Sequence, residues 1–445
     1  GLGRGLGETG RLNPEGVQSA MRALFRFKAI TRAQHVEDVT AFATAAVREA
    51  EDGAAFCARV REETGLALRV LSGEDEARYA GYGVLAIRPD ADGIAGDLGG
   101  SSLELSGLSG GYYVGGRTYP LGPLALETLG EPGSEALARA IRSALTGAPE
   151  LSIGARTFFA VGGAWRALAR LEMERRDYPL RILQNYEIDA DRVHRLVERV
   201  LDPDERTARL IDNLARRRAS TLPYAAVVLR EIMRIGRFER LSVSSFGARE
   251  GLVFEGLDEA SRAKDPLIAG VEVLMSSDPD AAAFGRALAN WLRQPAADTL
   301  EPRLVDAACR LADVGGKFHT DHRADMAFDL VARAPIAGVS HRDRLALALA
   351  VGSRYSRGFR DRAAEALLDG DTAARARTLG ALMRLAADFS GRSAQLLGFA
   401  ELTFDGGVLE LRVDGDYRDL ASEMVEKRLQ QIAAIQGCEV KLALG

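Results

Sequence analysis

Cysteine is scarce, with three residues (Cys57, Cys309 and Cys438) in a chain of 445. They are far apart and odd in number, so they form neither a disulfide framework nor a metal-ligand spacing. That usage fits a reducing compartment, and a cytoplasmic location is expected. No apolar run approaches the roughly 18 residues of a membrane span, and no secretory signal is visible, so no membrane partner is expected. An excess of positive charge is also lacking. Lys and Arg total 58 against 63 for Asp and Glu, a net charge of −5. Nucleic acid is therefore not an expected partner, and any polyanion must find a local basic patch. Histidines number five. His319 and His322, with Asp313, Asp321 and Asp325 nearby, raise a metal site. However, no histidine directly precedes an aspartate, and the pair lacks the spacing of helix-borne ligands. No solenoid-type repeat occurs.

The composition that is present, 47% hydrophobic and 27% charged, is that of a globular protein. The length calls for roughly two to four domains. The stretch GIAGDLGGSSLEL (93–105) reads as a strand ending in Asp97, a turn of Gly99, Gly100, Ser101 and Ser102, and a returning strand with Glu104. Glycines admit positive φ and close approach to a ligand, and successive N–H groups in such a turn form an anion-holding nest. Two acids seven residues apart around that cradle point to a phosphate with a divalent metal. The alternative is an ordinary tight hairpin.

The rest of the chain supplies companions. Asn13-Pro14 opens a helix with Val17, Met21, Leu24, Phe25 and Ile30 on one face. Residues 36–43 read as a strand running into a helix whose first turn holds Arg48, a plausible anion contact. Ser72 with Glu74, Asp75 and Glu76 marks a helix start. These acids either complement the helix dipole or offer a carboxylate as a general base. Phe158 to Val161 is a buried strand ending in Gly162-Gly163 before a helix, and Leu241 to Ser245 leads through Gly247 to Arg249. Three strand ends with small residues indicate one crevice at the carboxyl edge of an α/β sheet. The triplet Arg216-Arg217-Arg218 either lines a basic path or is a solvated helix face. After a linker near Asp265-Pro266, residues 267–393 show helical periodicity almost throughout. The last segment pairs two strands about Asp405-Gly406-Gly407, then adds a helix and a strand.

Five segments in order, TAAVREA (44–50), SGEDEAR (72–78), GDLGGSSLEL (96–105), AVGGAWRALA (160–169) and SFGAREGL (245–252), resemble the exopolyphosphatase/guanosine pentaphosphate phosphohydrolase family. That family lies within the actin–hexokinase–heat-shock ATPase superfamily. The resemblance implies an α/β fold with two ribonuclease H-like domains (1–77 and 78–262) and a crevice between them. An all-α domain related to HD phosphohydrolases (266–393) and a small α/β module (397–445) would follow. It further implies a water-activating base at Glu76 and metal-holding acids at Asp97 and Glu104. Phosphate contacts fall at Arg48, Gly99, Gly100, Ser101, Ser102, Gly162, Gly163 and Arg249. Mg2+ is the implied cofactor, with Mn2+ as the alternative. Inorganic polyphosphate is the implied substrate, guanosine penta- or tetraphosphate the alternative, and a homodimer the implied assembly. Two departures stand out. Ser101 occupies the place of the family's third turn glycine, and the family's first phosphate loop, an Asp-Ile-Gly-Ser-Asn-Ser hairpin, should precede Gly1. The chain opens without methionine, so a late start is expected; an inactive remnant is the other reading.

Overall fold

A computed structural model describes residues 1–445, the Arg217 side chain excepted. The chain divides into two compact units, 1–262 and 263–445.

The first unit begins with a short helix, Leu6–Thr9, and then α1, Pro14–Ala33. Pro14 is preset for a first helical turn, and Asn13 Oδ1 accepts the Gly16 N–H at 2.9 Å as its cap. Strand β1 (Ala41–Ala43) pairs in parallel with β2 (Leu68–Val70). Helices α2 (Ala45–Glu49) and α3 (Gly53–Thr64) form the crossover between them. Met21, Val47, Phe56 and Val60 make this lobe's core. The strand expected from residue 36 is confined to 41–43, because Val36 and Val39 stay exposed and find no layer to pack against.

Helix α4 (Gly73–Leu85) leads into a six-stranded sheet of β3 (Gly93–Leu98), β4 (Leu103–Ser109), β5 (Tyr112–Tyr119), β6 (Thr157–Val161), β7 (Glu187–Asp189) and β8 (Arg240–Val243). The spatial order is β5-β4-β3-β6-β8-β7. β3, β6 and β8 run parallel, whereas β4 is antiparallel to both its neighbours. Three meander strands followed by two parallel crossovers is the ribonuclease H-like arrangement. Side chains alternate across the sheet. Ile94, Leu98, Leu103 and Leu105 face a core shared with α5 (Gly163–Arg175) and α6 (Leu222–Ile235). Ala95, Leu108, Phe159 and Val161 pack on the other face with Val84 and Leu85 of α4. Helix α7 (Ala248–Glu255) follows β8. The carboxyl ends of β3, β6 and β8 thus share one edge, where Asp97, Gly162 and Gly247 lie.

The second unit carries α8 (Pro266–Met275), α9 (Pro279–Trp291), α10 (Pro302–Arg310), α11 (Arg323–Arg333), α12 (His341–Tyr355) and α13 (Gly370–Ser390). Leu345 to Arg354 of α12 are all buried, as for a helix surrounded by others. Strands β9 (Ala400–Asp405) and β10 (Val408–Val413) form the expected hairpin, with Gly406 and Gly407 at φ 55° and 77°. Helix α14 (Glu423–Gln436) crosses to β11 (Glu439–Leu444), which pairs in parallel with β10. Among the described residues no helix is long and apolar enough to cross a membrane.

Candidate active site

The register of β3 and β4 sets Asp97 directly opposite Glu104. Opposed residues share a sheet face with Cβ atoms about 5 Å apart, and like charges there oppose pairing. Glu104 is 3% exposed, and Thr118 Oγ1 donates to its Oε1 at 2.9 Å. Burial, reinforced by Asp97 and Glu76, pushes the Glu104 carboxyl up to about 8. Burial likewise lifts half-buried Asp97 to about 6; Arg166 opposes the shift, while Glu76 and Glu250 add to it.

Glu76 reaches this group from the start of α4. Ser72 Oγ accepts the Asp75 N–H at 3.0 Å, fixing the helix entry. Asp75 is committed to Arg69 and Arg78, whereas Glu76 is buried and ion-paired with Arg48. Arg48 Nη1 also donates to the Leu71 carbonyl at 2.8 Å, and Nη2 lies 3.6 Å from Glu49. Arg48 is therefore held as the partner of Glu76. Burial raises the Glu76 pKa, and Arg48 opposes that shift.

The turn between the two acids forms without the left-handed backbone that its glycines would allow. No residue from Gly99 to Ser102 takes a left-handed φ. The loop is closed by the Gly99 N–H on the Ser102 carbonyl at 2.9 Å, which ordinary backbone angles allow. The Gly100 and Ser101 carbonyls accept from the Leu124 and Gly122 N–H groups. A trans peptide directs N–H opposite to C=O, so the Ser101 and Ser102 N–H groups face away from residues 122–124. Gly122 is the sterically demanding glycine here, since a Cβ on it would stand 2.3 Å from the Ser101 carbonyl carbon. On the other side, a Cβ on Gly3 would stand 3.0 Å from Ser101 Oγ and 3.2 Å from Ala46 Cβ. The Gly-rich start of the chain thus passes between the turn and α2.

Gly162 caps α5 at φ 106°, a conformation that favours glycine. A Cβ there would lie 3.1 Å from Asp97 Oδ1, and one on Gly247 would lie 3.6 Å from Asp97 Oδ2. Backbone therefore flanks the Asp97 carboxylate. Arg166, in the first turn of α5, donates to the Gly162 carbonyl at 3.2 Å and to the Ser245 carbonyl at 3.0 Å. Arg218 lies against Gly163, where a Cβ would meet its Nη2 at 2.6 Å. Arg249 is exposed at the start of α7, 3.9 Å from Glu250. Of the arginine triplet, Arg216 pairs with Asp212, Arg218 reaches the crevice, and the Arg217 side chain lies outside the described residues.

The structure gathers Glu76, Asp97, Glu104, Arg48, the 99–102 turn and Gly162-Gly163 around one crevice. Sequence reasoning did not single out Arg166, Thr118 or Gly122. Arg166 alone carried a usable signal, an arginine one turn beyond a Gly-Gly helix start. Asp313, raised with the histidines as a metal ligand, instead pairs with Arg354 at 3.0 Å and Arg392 at 3.2 Å. His319 Nδ1 accepts from the Asp321 N–H. Among the described residues no group of three His, Cys, Asp or Glu side chains is placed to hold a metal unaided.

Residues 1–260 match the model of the Ppx/GppA phosphatase family, and residues 284–443 match one described as exopolyphosphatase, C-terminal. Retrograde regulation protein 2 of Saccharomyces cerevisiae is 25% identical over 375 residues, covering 76% of this chain and 63% of its own length. Exopolyphosphatase 1 of Mycobacterium tuberculosis is 37% identical over 103 residues, 22% of this chain and 29% of that one. The chain thus spans less than two thirds of either relative. The crystal structure of an exopolyphosphatase from Cytophaga hutchinsonii has a TM-score of 0.52 at 20% identity, covering 57% of this chain and 88% of that one. With the sheet order above, this likeness gives an actin-like α/β fold; the helical part follows it.

Proposed function

The chain belongs to the Ppx/GppA phosphatase family, and we propose that it hydrolyses terminal phosphoanhydride bonds of inorganic polyphosphate, releasing orthophosphate. The observation that carries this reading is the register pair Asp97–Glu104 with Glu76 beside it. Asp97 and Glu104 face one another with Glu76 near both, and the mutual repulsion that helps raise the Asp97 and Glu104 carboxyls is what a bound cation would relieve. Two carboxylates fit a divalent ion whose other positions are filled by substrate oxygens and water, which is how Mg2+ is ordinarily bound. When bound by Asp97 and Glu104, Mg2+ (or Mn2+) would neutralise charge on the phosphoryl oxygens.

The chain's own groups do the rest. Glu76, buried and raised in pKa, takes a proton from a water as its oxygen bonds to the terminal phosphorus. The bridging P–O bond breaks, and the chain leaves one phosphate shorter. Arg48 orients the Glu76 carboxylate and limits its pKa rise. The Ser101 and Ser102 N–H groups and the α5 start at Gly162-Gly163 are the donors for phosphoryl oxygens, and Arg166, Arg218 and Arg249 supply positive charge. Assembly as a homodimer belongs to the same proposal.

Initial rates of phosphate release from long-chain polyphosphate and from guanosine pentaphosphate test the substrate. Polyphosphate should be the faster by at least about tenfold; the reverse order would assign a guanosine pentaphosphate phosphohydrolase instead. The likeness to the yeast regulatory protein favours a second reading, a non-catalytic polyphosphate- or alarmone-binding regulator. Tight polyphosphate binding without Mg2+-dependent release would establish that one.

A further inference from the structure

We propose that the second unit holds a binding site for a small phosphate-bearing molecule, in the cavity where four guanidiniums and a buried, unpartnered serine hydroxyl meet between α12, α13 and α14. The cavity measures about 300 Å³ and is lined by Ser353, Arg357, Arg377, Arg384, Arg428 and Ile435, with two alanines. That volume is at the lower end for small-molecule sites and admits no folded partner.

The charge is one-sided. Arg428 meets a carboxylate, Asp388, at 2.7 Å. Arg384 instead donates to the main-chain carbonyls of Arg354 and Ser353, at 2.6 and 2.7 Å, and Arg377 reaches only the Phe359 carbonyl, at 3.5 Å. Among the described residues neither Arg357 nor Arg377 has a carboxylate at ion-pair distance. Four like charges converging on one carboxylate repel one another. Burial holds Arg384 down at about 10, with Arg428, Arg354 and Arg357 adding to that shift.

Ser353 supplies an independent sign. It is 3% exposed, and its Oγ has no hydrogen-bond partner. A helical serine ordinarily returns its hydroxyl to the carbonyl one turn back, and an orphaned buried hydroxyl is costly. A ligand oxygen in the cavity would satisfy it once the side chain turns from its enclosed rotamer toward the opening. Guanidinium forks match a tetrahedral anion with several oxygens, while Ala374, Ala381 and Ile435 offer an apolar wall to a ligand body. The shared chemistry is a phosphate group, borne either by inorganic pyrophosphate or by a nucleotide.

Hydrogen exchange on the whole chain, with pyrophosphate or with ADP, locates the site separately from the crevice. Peptides covering 353–384 and 428–435 should gain protection. Arg357→Gln/Arg377→Gln should lose at least about tenfold in affinity there at an unchanged Tm. Ser353→Ala should weaken binding about threefold without lowering the Tm, because it removes an orphaned hydroxyl. Stronger protection by ADP would assign a nucleotide, and equal protection the phosphate group alone. No protection of these peptides by saturating pyrophosphate or ADP would overturn the proposal. Equal protection in the double arginine variant would overturn it too.

Discussion

Asp97 in the first unit and Asp313 in the second are both enclosed acids, and their neighbours have opposite charge. Asp97 faces Glu104 in register with Glu76 close by, and both carboxyls of the register pair are pushed up. Asp313 is clasped between Arg354 and Arg392, and Arg354 is itself 5% exposed. A compensated acid holds a fold together. An uncompensated cluster costs stability and persists where a ligand supplies the missing charge. By that criterion the crevice is the candidate chemical centre, and Asp313 is a strut.

The largest expected effect tests that distinction directly. Asp97→Asn and Glu104→Gln should each cut Mg2+-dependent phosphate release by about a hundredfold or more, yet stabilise the metal-free protein at pH 8 by on the order of 1 kcal/mol. Asp313→Asn should do the reverse. It leaves release per folded molecule unchanged and costs about 3 kcal/mol by stranding buried Arg354. Shifts of the same sign in the two regions, read by urea unfolding, would break the comparison.

The pH dependence is a smaller effect with a definite sign. Glu104 at about 8 and Asp97 at about 6 keep protons in the folded state that the unfolded chain has already released. Their contribution to stability therefore falls as pH rises from the ordinary carboxylate range to 8, and is level beyond it. Wild type should lose stability relative to Glu104→Gln across that interval, and Mg2+ should flatten the difference. An increase in relative stability with pH would contradict the assignment. The smallest effect is expected at the histidines. His319→Ala and His322→Ala should each shift stability by under about 0.5 kcal/mol and leave bound metal, measured on the purified protein, unchanged.

Much of the crevice was legible because strand ends, helix starts and tight turns have local signatures. Asp97, Glu104 and Glu76 each sit at such a boundary, and five short segments in order carried the family likeness. What escaped depends on contacts between distant segments. Gly122 is demanded by the 99–102 turn, which lies some twenty residues upstream. The strand read from Val36 includes the β-branched residues Val36, Val39 and Thr40, but such residues form a strand only where a layer exists to bury them. The turn also does without the left-handed backbone that its glycines would allow, and the Gly99–Ser102 hydrogen bond closes it without that conformation. The arginines around Asp313 could not be foreseen from spacing, since Arg354 and Arg392 come from well downstream.

Single-turnover phosphate release by Glu76→Gln, measured beside its polyphosphate binding, bears most directly on the crevice as a hydrolytic site. Loss of the base should slow release by about 10²–10⁴-fold while binding stays within about threefold of wild type. Near-normal release by the folded variant would remove Glu76, and the three-carboxylate centre built around it, from the chemistry.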